Sequence, residues 1–232
     1  LQMCVQARWD TDTSLLCLPH TQHASLYVFT NTGITSLPQL QQRVGGKYES
    51  LARMMRQEFD EPEIEDVWAA LQRMPVLQVD VEVGGQRLEL ASSTQTWVPV
   101  RQHSEVTVTV NMKRLNRPGK EGLKVYSPKF PKPKVIFFVS VFTPVMTCVQ
   151  DESWLLVIGN PVTRELMALK RVSGVRGSVS HSLVLSPEEA GRVPLSLYVM
   201  SDSYLGLDQQ YTLPLHVEES EGPEIFYSDA EE

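Results

Sequence analysis

Met200-Ser-Asp-Ser-Tyr-Leu-Gly-Leu-Asp-Gln-Gln-Tyr211 is a polar stretch that contains one glycine and lies between two runs of alternating apolar residues. Alternation with a period of two is typical of strands with one buried face, and a polar connection between two such strands is typical of an antiparallel pair. The stretch is too long for a two-residue hairpin turn, so it predicts an ordered loop before the last strand of a β-domain. The alternating residues are Leu195, Leu197 and Val199 before the stretch and Leu213, Leu215 and Val217 after it.

Residues 201–211, which we name the signature loop, contain candidates for setting its conformation. Gly206 permits a left-handed backbone. Asp202 and Asp208 are expected to accept hydrogen bonds from backbone amides a residue or two onward, which would order the loop. Tyr204 and Tyr211 are expected to be partly buried, with their hydroxyl groups paired. These patterns favour a structural role for the loop, with partner recognition as the alternative.

The period of two extends back to Val76, where a first strand is followed by the tight turn Gly84-Gly85. Seven to eight short strands with turn signals between them predict an immunoglobulin-like or fibronectin-like β-sandwich over 75–218. Trp154, at the head of one strand, is expected in its core. The fold class is therefore α+β in two domains, because the sequence before Val76 is helical.

Residues 19–74 show apolar residues at helical spacing, interrupted by glycine and proline. Several short helices with glycine joints resemble a helix-loop-helix region, in which backbone amides sometimes contact phosphates; a spacer between domains is the favoured interpretation. Residues 1–18 are expected to be the end of a truncated helical bundle, because apolar residues at helical spacing start without a capping residue.

Charge is concentrated in two segments of a chain whose net charge is −7. Residues 218–232 hold seven acids and no base, and residues 219–232, the acidic tail, are expected to be disordered. The basic block, residues 111–134, carries +7 and includes Tyr126 and Phe130. Cations with stackable aromatic rings suit single-stranded nucleic acid, whereas the prolines between them suit an extended strap on a partner protein. Both interpretations stay open for Lys113, Arg114, Arg117, Lys120, Lys124, Lys129, Lys132 and Lys134.

The sequence contains no recognisable catalytic constellation. Neither a G-x-x-x-x-G-K-[ST] phosphate-binding loop nor a G-x-S-x-G motif occurs. Three cysteines without a Cys-x-x-Cys pair indicate free thiols. His20 and His23 have a spacing found in zinc sites, but no second ligand pair lies nearby, so no metal site is predicted. We therefore expect this chain not to be an enzyme.

Several separated pieces of the sequence resemble, in the same order, the Sec-sixty-three-type domain of Ski-two-like superfamily 2 helicases. Within that family they are most similar to the second such domain of the helicase subunits of the activating signal cointegrator 1 complex. The pieces are Arg8-Trp9, Thr35 to Leu40 with Gly45-Gly46-Lys47, Trp154 to Gly159, Arg164 to Val172, and the signature loop.

The resemblance implies an accessory module of an ATP-dependent 3′-to-5′ helicase that acts in alkylation-damage repair and ribosome quality control, in the nucleus and the cytoplasm. ATP and Mg would belong to the parent helicase, and no cofactor is expected in this chain. The implied partners are the upstream helicase cassettes and the other subunits of the complex, with RNA or single-stranded DNA as further candidates and no membrane. The alternatives are a nucleic-acid-guiding element, or the related domain of the ER protein-translocation factor or the spliceosomal U5 helicase.

Residues 135–150, VIFFVSVFTPVMTCVQ, form an uncharged run within a basic, proline-rich region. The run is short for a membrane span, which takes about 20 residues. In members of the family that this sequence resembles, the equivalent of Lys134 is followed directly by the equivalent of Asp151. We therefore predict an insert, which is either a short in-frame intron read as protein or a genuine extra hairpin.

Overall fold

The helical part of the chain precedes Leu77 and the strands follow it, so the protein is α+β. The structure is a computed structural model that describes residues 2–89, 96–117, 122–125 and 151–219. The helices are α1 (Gln2–Gln6), α2 (Tyr27–Thr30), α3 (Leu37–Val44), α4 (Tyr48–Met55) and α5 (Glu61–Arg73), with 3₁₀ turns at Ser14–Cys17 and His23–Ser25. Within these described ranges, none of the helices is both long and apolar enough to cross a membrane.

The helix boundaries follow from residues with special backbone properties. Gly45 ends α3 in the left-handed conformation, with φ of 57°, which glycine adopts without a steric penalty. At the start of α5, the amide of Asp60 donates a 3.1 Å hydrogen bond to the carboxylate of Glu63, as part of a capping box. Pro62 lies in the first turn, where no intrahelical N–H bond is needed. The helices predicted from the apolar spacing after Pro19 are therefore confirmed.

The strands form two sheets. One sheet has four antiparallel strands in the order β2-β1-β4-β7, and the other has five strands in the order β3-β9-β8-β5-β6. Among the strands that the structure describes, only the β3–β9 pair of the five-stranded sheet is parallel. The strands are β1 (Leu77–Val83), β2 (Gln86–Arg87), β3 (Val98–Arg101), β4 (Val106–Arg114), β5 (Ser153–Asn160), β6 (Glu165–Ser173), β7 (Ser178–Leu185), β8 (Gly191–Ser201) and β9 (Gln209–Glu218).

The turn at Gly84-Gly85 is confirmed, since both residues have positive φ and connect β1 to β2. A hairpin with a two-residue turn of this type matches the twist of its strands. The returning strand β2 has only two residues and ends before Leu88. The sequence patterns did not identify β3, because four residues with Pro99 among them give too short an alternation to stand out.

The buried apolar residues of both sheets and of the helices belong to one continuous core. Alternate residues of the central strands point into it, as Val106, Val108 and Val110 of β4 illustrate. Trp154 is 1 % exposed, so its predicted place in the core is confirmed. Burial of this shared apolar surface is the main stabilising contribution to the fold.

Candidate interaction site at the signature loop

The signature loop is ordered by short-range hydrogen bonds to Ser201. The hydroxyl of Ser201 accepts hydrogen bonds from the amides of Ser203 and Tyr204, at 3.2 and 2.9 Å. The amide of Ser201 donates to the carboxylate of Asp208 at 2.8 Å. Gly206 has φ of 79°, the left-handed conformation that the sequence predicted. The loop therefore has a defined conformation between β8 and β9.

Asp202 connects the loop to the neighbouring strands β5 and β6. Its carboxylate is buried and accepts a 3.0 Å bond from the amide of Ser153, a 2.9 Å bond from the guanidinium of Arg171, and bonds from the hydroxyls of Ser153 and Ser203. Burial by itself raises the pKa of Asp202, but these hydrogen bonds outweigh burial and lower the pKa below its usual value. The ionised carboxylate is thus the form that the fold stabilises.

The predicted hydrogen-bond partners of the two aspartates were wrong. Asp202 bonds to strands that are distant in sequence, and Asp208 bonds back to Ser201 rather than onward. A local pattern cannot reveal such partners, because they become neighbours only when the strands pair. Ser153 and Arg171 were accordingly missed as members of the site.

Two glutamines of α1 connect the loop to the N-terminal part of the chain. The side-chain amide of Gln2 donates to the carbonyl of Ser201 at 2.5 Å and to the carboxylate of Asp208 at 2.8 Å. The side-chain amide of Gln6 donates to the carbonyl of Ser203 at 2.9 Å. Burial raises the pKa of Asp208, and the hydrogen bonds from Ser201 and Gln2 act in the opposite direction. The loop is therefore a junction between helices and strands.

Gly206 contacts the 3₁₀ turn that contains Ser14. A methyl group at Gly206 would lie 2.6 Å from Cβ of Ser14, which is closer than van der Waals contact allows. The hydroxyl of Ser14 in turn accepts a 3.0 Å bond from the amide of Leu37, the first residue of α3. Ser36 is at the N-cap position of α3, but its side chain makes no capping bond. The close approach extends the junction to α3.

The two tyrosines of the signature loop differ in burial. Tyr204 is 1 % exposed, so it is more buried than the sequence predicted. Tyr211 is half-buried, and its hydroxyl donates to the side-chain carbonyl of Gln209. Burial raises the pKa of Tyr211. Both side chains contribute to the core or its margin, which agrees with a structural role for the loop.

The structure separates the members of the basic block that it describes. Lys113 and Arg117 are exposed near the end of β4, and Lys124 is half-buried where its backbone pairs with Asp151. Arg114 is buried, and its guanidinium pairs with Glu152 at 2.6 Å, so the proposal that Arg114 contacts a nucleic acid or partner protein is wrong. Lys120, Lys129, Lys132 and Lys134, together with Tyr126 and Phe130, lie outside the described residues, as does the 135–150 segment.

Glu152 is a buried acid that the sequence analysis missed. Burial raises the pKa of Glu152 to about 7, and the charge of Arg114 opposes this rise. The sequence feature that could have identified Glu152 as buried is its position two residues before Trp154, at the start of a buried strand. Gly174 lies against it, because a methyl group there would be 2.4 Å from Cγ of Glu152.

The two histidines with zinc-like spacing face different carboxylates. His20 lies 2.9 Å from Asp66 and 3.7 Å from Glu63, whereas His23 lies 3.7 Å from Asp12. Within the described ranges, no three His, Cys, Asp or Glu side chains form a metal-binding group. The two histidines therefore take part in separate surface pairs.

The sequence of this chain matches one known domain family over nearly its whole length. The sequence profile of the Sec63 Brl domain matches residues 1–214. The chain belongs to the Sec63 Brl domain family. This confirms the resemblance drawn from the separated sequence pieces, most of which lie in the helices, in β5 and β6, and in the signature loop.

Relatives of this Sec63 Brl domain include a subunit of a cointegrator complex and RNA helicases. "Activating signal cointegrator 1 complex subunit 3" is 32 % identical over 94 % of this chain in Bos taurus and 33 % identical over 94 % in Homo sapiens. "DExH-box ATP-dependent RNA helicase DExH13" from Arabidopsis thaliana is 28 % identical over 95 %. The chain spans only 11 %, 11 % and 9 % of the length of these three relatives.

Among solved structures, the CARDB domain of a Pyrococcus furiosus protein aligns with a TM-score of 0.33 and 13 % identity. The alignment covers 63 % of this chain and 97 % of that one. This similarity is too low to support an argument about fold or function.

Proposed function

We propose that this Sec63 Brl domain is an accessory module of an ATP-dependent 3′-to-5′ helicase, the helicase subunit of an activating signal cointegrator 1 complex. The observation that carries the proposal is the 33 % identity to the human subunit over 94 % of the chain. In this role the module packs against the upstream helicase cassettes and binds other subunits of the complex. ATP and Mg act in the parent helicase, which works in alkylation-damage repair and ribosome quality control, in the nucleus and the cytoplasm.

We infer a domain arrangement that suits such a module. Residues 1–18 are the end of a helical bundle, residues 19–74 a helix-loop-helix region, and residues 75–218 an immunoglobulin-like or fibronectin-like sandwich with an insert at 135–150, followed by the acidic tail. Two sheets whose inward residues share one core support the sandwich. The signature loop supports a rigid module, because its hydrogen bonds hold α1 against β5 and β8.

The limited exposure of cations in the basic block favours protein interaction over nucleic-acid binding as the function of this module. Nucleic-acid contact requires accessible cations, since affinity comes from neutralising phosphates. Arg114 is withdrawn from the surface by Glu152, and Lys124 is half-buried. The candidate function that remains as an alternative is guidance of RNA or single-stranded DNA along the exposed Lys113 and Arg117.

The test measures two affinities of the same chain: one for single-stranded RNA at two salt concentrations, and one for the helicase cassettes of the cointegrator subunit. We expect weak RNA binding at physiological salt and measurable binding to the cassettes. The variant Lys113→Ala with Arg117→Ala is compared with Arg43→Ala with Arg53→Ala, which removes equal charge from exposed helix positions. Tight RNA binding at physiological salt that only the first variant loses would overturn the proposal.

The related helicases are a second candidate for the parent protein. The U5 small nuclear ribonucleoprotein 200 kDa helicase of Drosophila melanogaster is 25 % identical over 93 % of this chain, which is lower than the identity to the cointegrator subunits. The ER protein-translocation factor is a third candidate by family resemblance. Co-purification with cointegrator subunits rather than with U5 particles or ER membranes supports the favoured parent.

A further inference from the structure

The outward face of the four-stranded sheet changes character at the end where β4 finishes. Further along this face the acids already have partners. Asp80 pairs with Arg87 at 2.6 Å, and Glu82 accepts a 3.1 Å hydrogen bond from Asn111. At the end of β4, exposed cations surround an exposed leucine instead. We name this surface the basic sheet end, and its members are Val76, Lys113, Leu115, Arg117 and Arg176.

The ladder between β1 and β4 continues into the basic sheet end. Lys113 pairs with Gln78, and the amide of Leu115 donates a 2.8 Å hydrogen bond to the carbonyl of Val76. Residues two apart along an extended chain point to the same face of a sheet. Leu115 therefore lies on the outward face beside Lys113, and it is 57 % exposed.

The ladder between β4 and β7 adds a cation from a distant part of the sequence. The amide of Arg114 donates a 2.7 Å hydrogen bond to the carbonyl of Gly177. The next pair in the same register is Leu115 with Arg176, which lies in the turn between β6 and β7. Opposite residues on one face are about 5 Å apart, so the exposed side chain of Arg176 lies beside that of Leu115.

The cations of the basic sheet end are free to meet a partner. In the part of the chain that the structure describes, Lys113, Arg117 and Arg176 form no ion pair. Gln78 and Ser178, which pair with Lys113 on either side, carry no charge. Three positive charges therefore surround one exposed aliphatic side chain, without an acid in the same rows of the sheet.

Such a surface is complementary to an acidic protein segment that carries one apolar side chain. Arginine binds carboxylates through charge-assisted, often bidentate, hydrogen bonds. An apolar side chain seated on Leu115 and Val76 would remove their surface from water, which favours binding. Charges around the contact would fix the orientation of the segment and select acidic over basic partners.

Single-stranded nucleic acid suits the basic sheet end less well. Its binding sites combine cations for the phosphates with aromatic rings on which the bases stack. The two rows of the sheet that form this surface contain no aromatic residue, and their centre is aliphatic. The exposed Leu115 therefore favours a protein partner.

We propose that the basic sheet end binds an acidic segment of a partner protein, in which carboxylates flank a single apolar side chain. The apolar side chain packs on Leu115 and Val76, and the carboxylates face Lys113, Arg117 and Arg176. This inference rests on the proposed role in protein interaction and deepens it, because it names the chemistry of the bound segment. It does not depend on the identity of the parent helicase.

The test titrates the whole ¹⁵N-labelled chain with a short synthetic peptide that has glutamates on both sides of one leucine. In ¹H–¹⁵N spectra we expect shifts at Lys113, Leu115 and Arg176, and little change at Val157 on the other sheet. Affinity decreases with added salt, because salt screens exposed charges. A second peptide with serine in place of the leucine is expected to bind more weakly.

Matched variants decide whether the basic sheet end is responsible. Arg176→Glu is expected to weaken peptide binding about tenfold, whereas Arg53→Glu, at an exposed position of α4, changes it little. Leu115→Ser is expected to weaken binding, whereas Leu166→Ser is not, although Leu166 is similarly exposed at 60 %. All four positions are exposed, so the variants are expected to retain the fold, and their spectra check this.

Several outcomes would overturn the proposal. They are equal effects of the matched variants, shifts centred on another face, and tighter binding of a single-stranded RNA of equal charge at physiological salt. Peptide binding that requires removal of residues 219–232 would identify the tail of the same chain as the occupant. Shifts at the basic sheet end that grow with protein concentration, without peptide, would identify a second copy.

The same measurements separate this inference from the proposed function. A chain that binds the helicase cassettes but not the acidic peptide would refute the inference alone. A chain that binds the peptide at the basic sheet end but neither the cassettes nor the cointegrator subunits would refute the proposed function alone.

Discussion

The guanidinium of Arg114 lies 2.6 Å from the carboxylate of Glu152, and the two side chains are 0 % and 1 % exposed. Arg114 also donates to the carbonyls of Arg73 at 2.8 Å and Val175 at 3.4 Å. One side chain therefore connects the end of α5, the end of β4 and the segment after β6. A charge in this position is tolerated only because it is paired and hydrogen-bonded.

Arg114→Met is expected to lower the free energy of unfolding by about 3–5 kcal/mol at pH 8, because it leaves a buried carboxyl group and two carbonyls without their partner. Arg114 holds the pKa of Glu152 down, so its loss raises that pKa further above 7. A folded-state pKa above the unfolded value means that stability falls as pH rises toward it. The variant should therefore lose less stability at pH 5 than at pH 8.

Urea denaturation at both pH values measures this effect. Arg117→Met is the control, because Arg117 is exposed close by and such surface changes stay within about 0.5 kcal/mol. Adding Glu152→Gln to Arg114→Met should recover part of the stability at pH 8 and remove the extra pH dependence. Equal losses for Arg114→Met and Arg117→Met would contradict a role for the buried pair.

Asp202→Asn is expected to lower stability by about 2 kcal/mol at pH 7, since the ionised carboxylate accepts several hydrogen bonds in the fold. The folded-state pKa of Asp202 is lowered, so its contribution is present above about pH 4, the unfolded value, and is lost as pH falls below it. The difference from the wild type should shrink in acid. Asp80→Asn, which removes the partner of the exposed Arg87, should cost less than about 1 kcal/mol.

Asp208→Ala is expected to cost about 1 kcal/mol, the usual loss for a hydrogen bond from a backbone amide. If neither this variant nor Asp202→Asn changes the thermal or urea midpoint, but both abolish partner binding, the signature loop is a recognition element and not a structural junction.

Gly206→Ala is expected to lower stability by about 2 kcal/mol, because an L-residue is strained at φ of 79° and the methyl group meets Ser14. Gly177→Ala is the control, since a methyl group there meets no atom within 4 Å. Thermal unfolding followed by circular dichroism compares the two variants. Similar midpoints would show that the close contact between the loop and the 3₁₀ turn does not stabilise the fold.

Deletion of residues 135–150, which joins Lys134 to Asp151, is expected to leave the chain as stable as before or more so. The reason is that an uncharged apolar run inserted in a charged region favours aggregation. A loss of more than about 2 kcal/mol in urea, the scale of one well-buried side chain, would show that the run belongs to the core. Messenger RNA without these codons would support the intron interpretation independently.

The purified chain is expected to show no ATP hydrolysis above background, because it contains no G-x-x-x-x-G-K-[ST] motif. A phosphate-release assay with and without single-stranded RNA measures this. Turnover that co-elutes with the folded chain through repeated purification would contradict the proposal that catalysis belongs to another part of a longer protein.

The sequence by itself determined the elements whose signals are local. Alternation of Leu195, Leu197 and Val199 set a strand, Gly84-Gly85 set a tight turn, and Gly206 set a left-handed loop residue, since each depends on neighbours along the chain. Separated motifs in a fixed order were sufficient for the family as well.

Only the tertiary structure decided which side chains meet. Arg114 was indistinguishable from the other cations of the basic block until β4 and β5 brought it to Glu152. The partners of Asp202 and the short parallel strand β3 depended in the same way on which strands became neighbours. These features come from pairing between distant segments, and a period read along one segment carries no information about its partner.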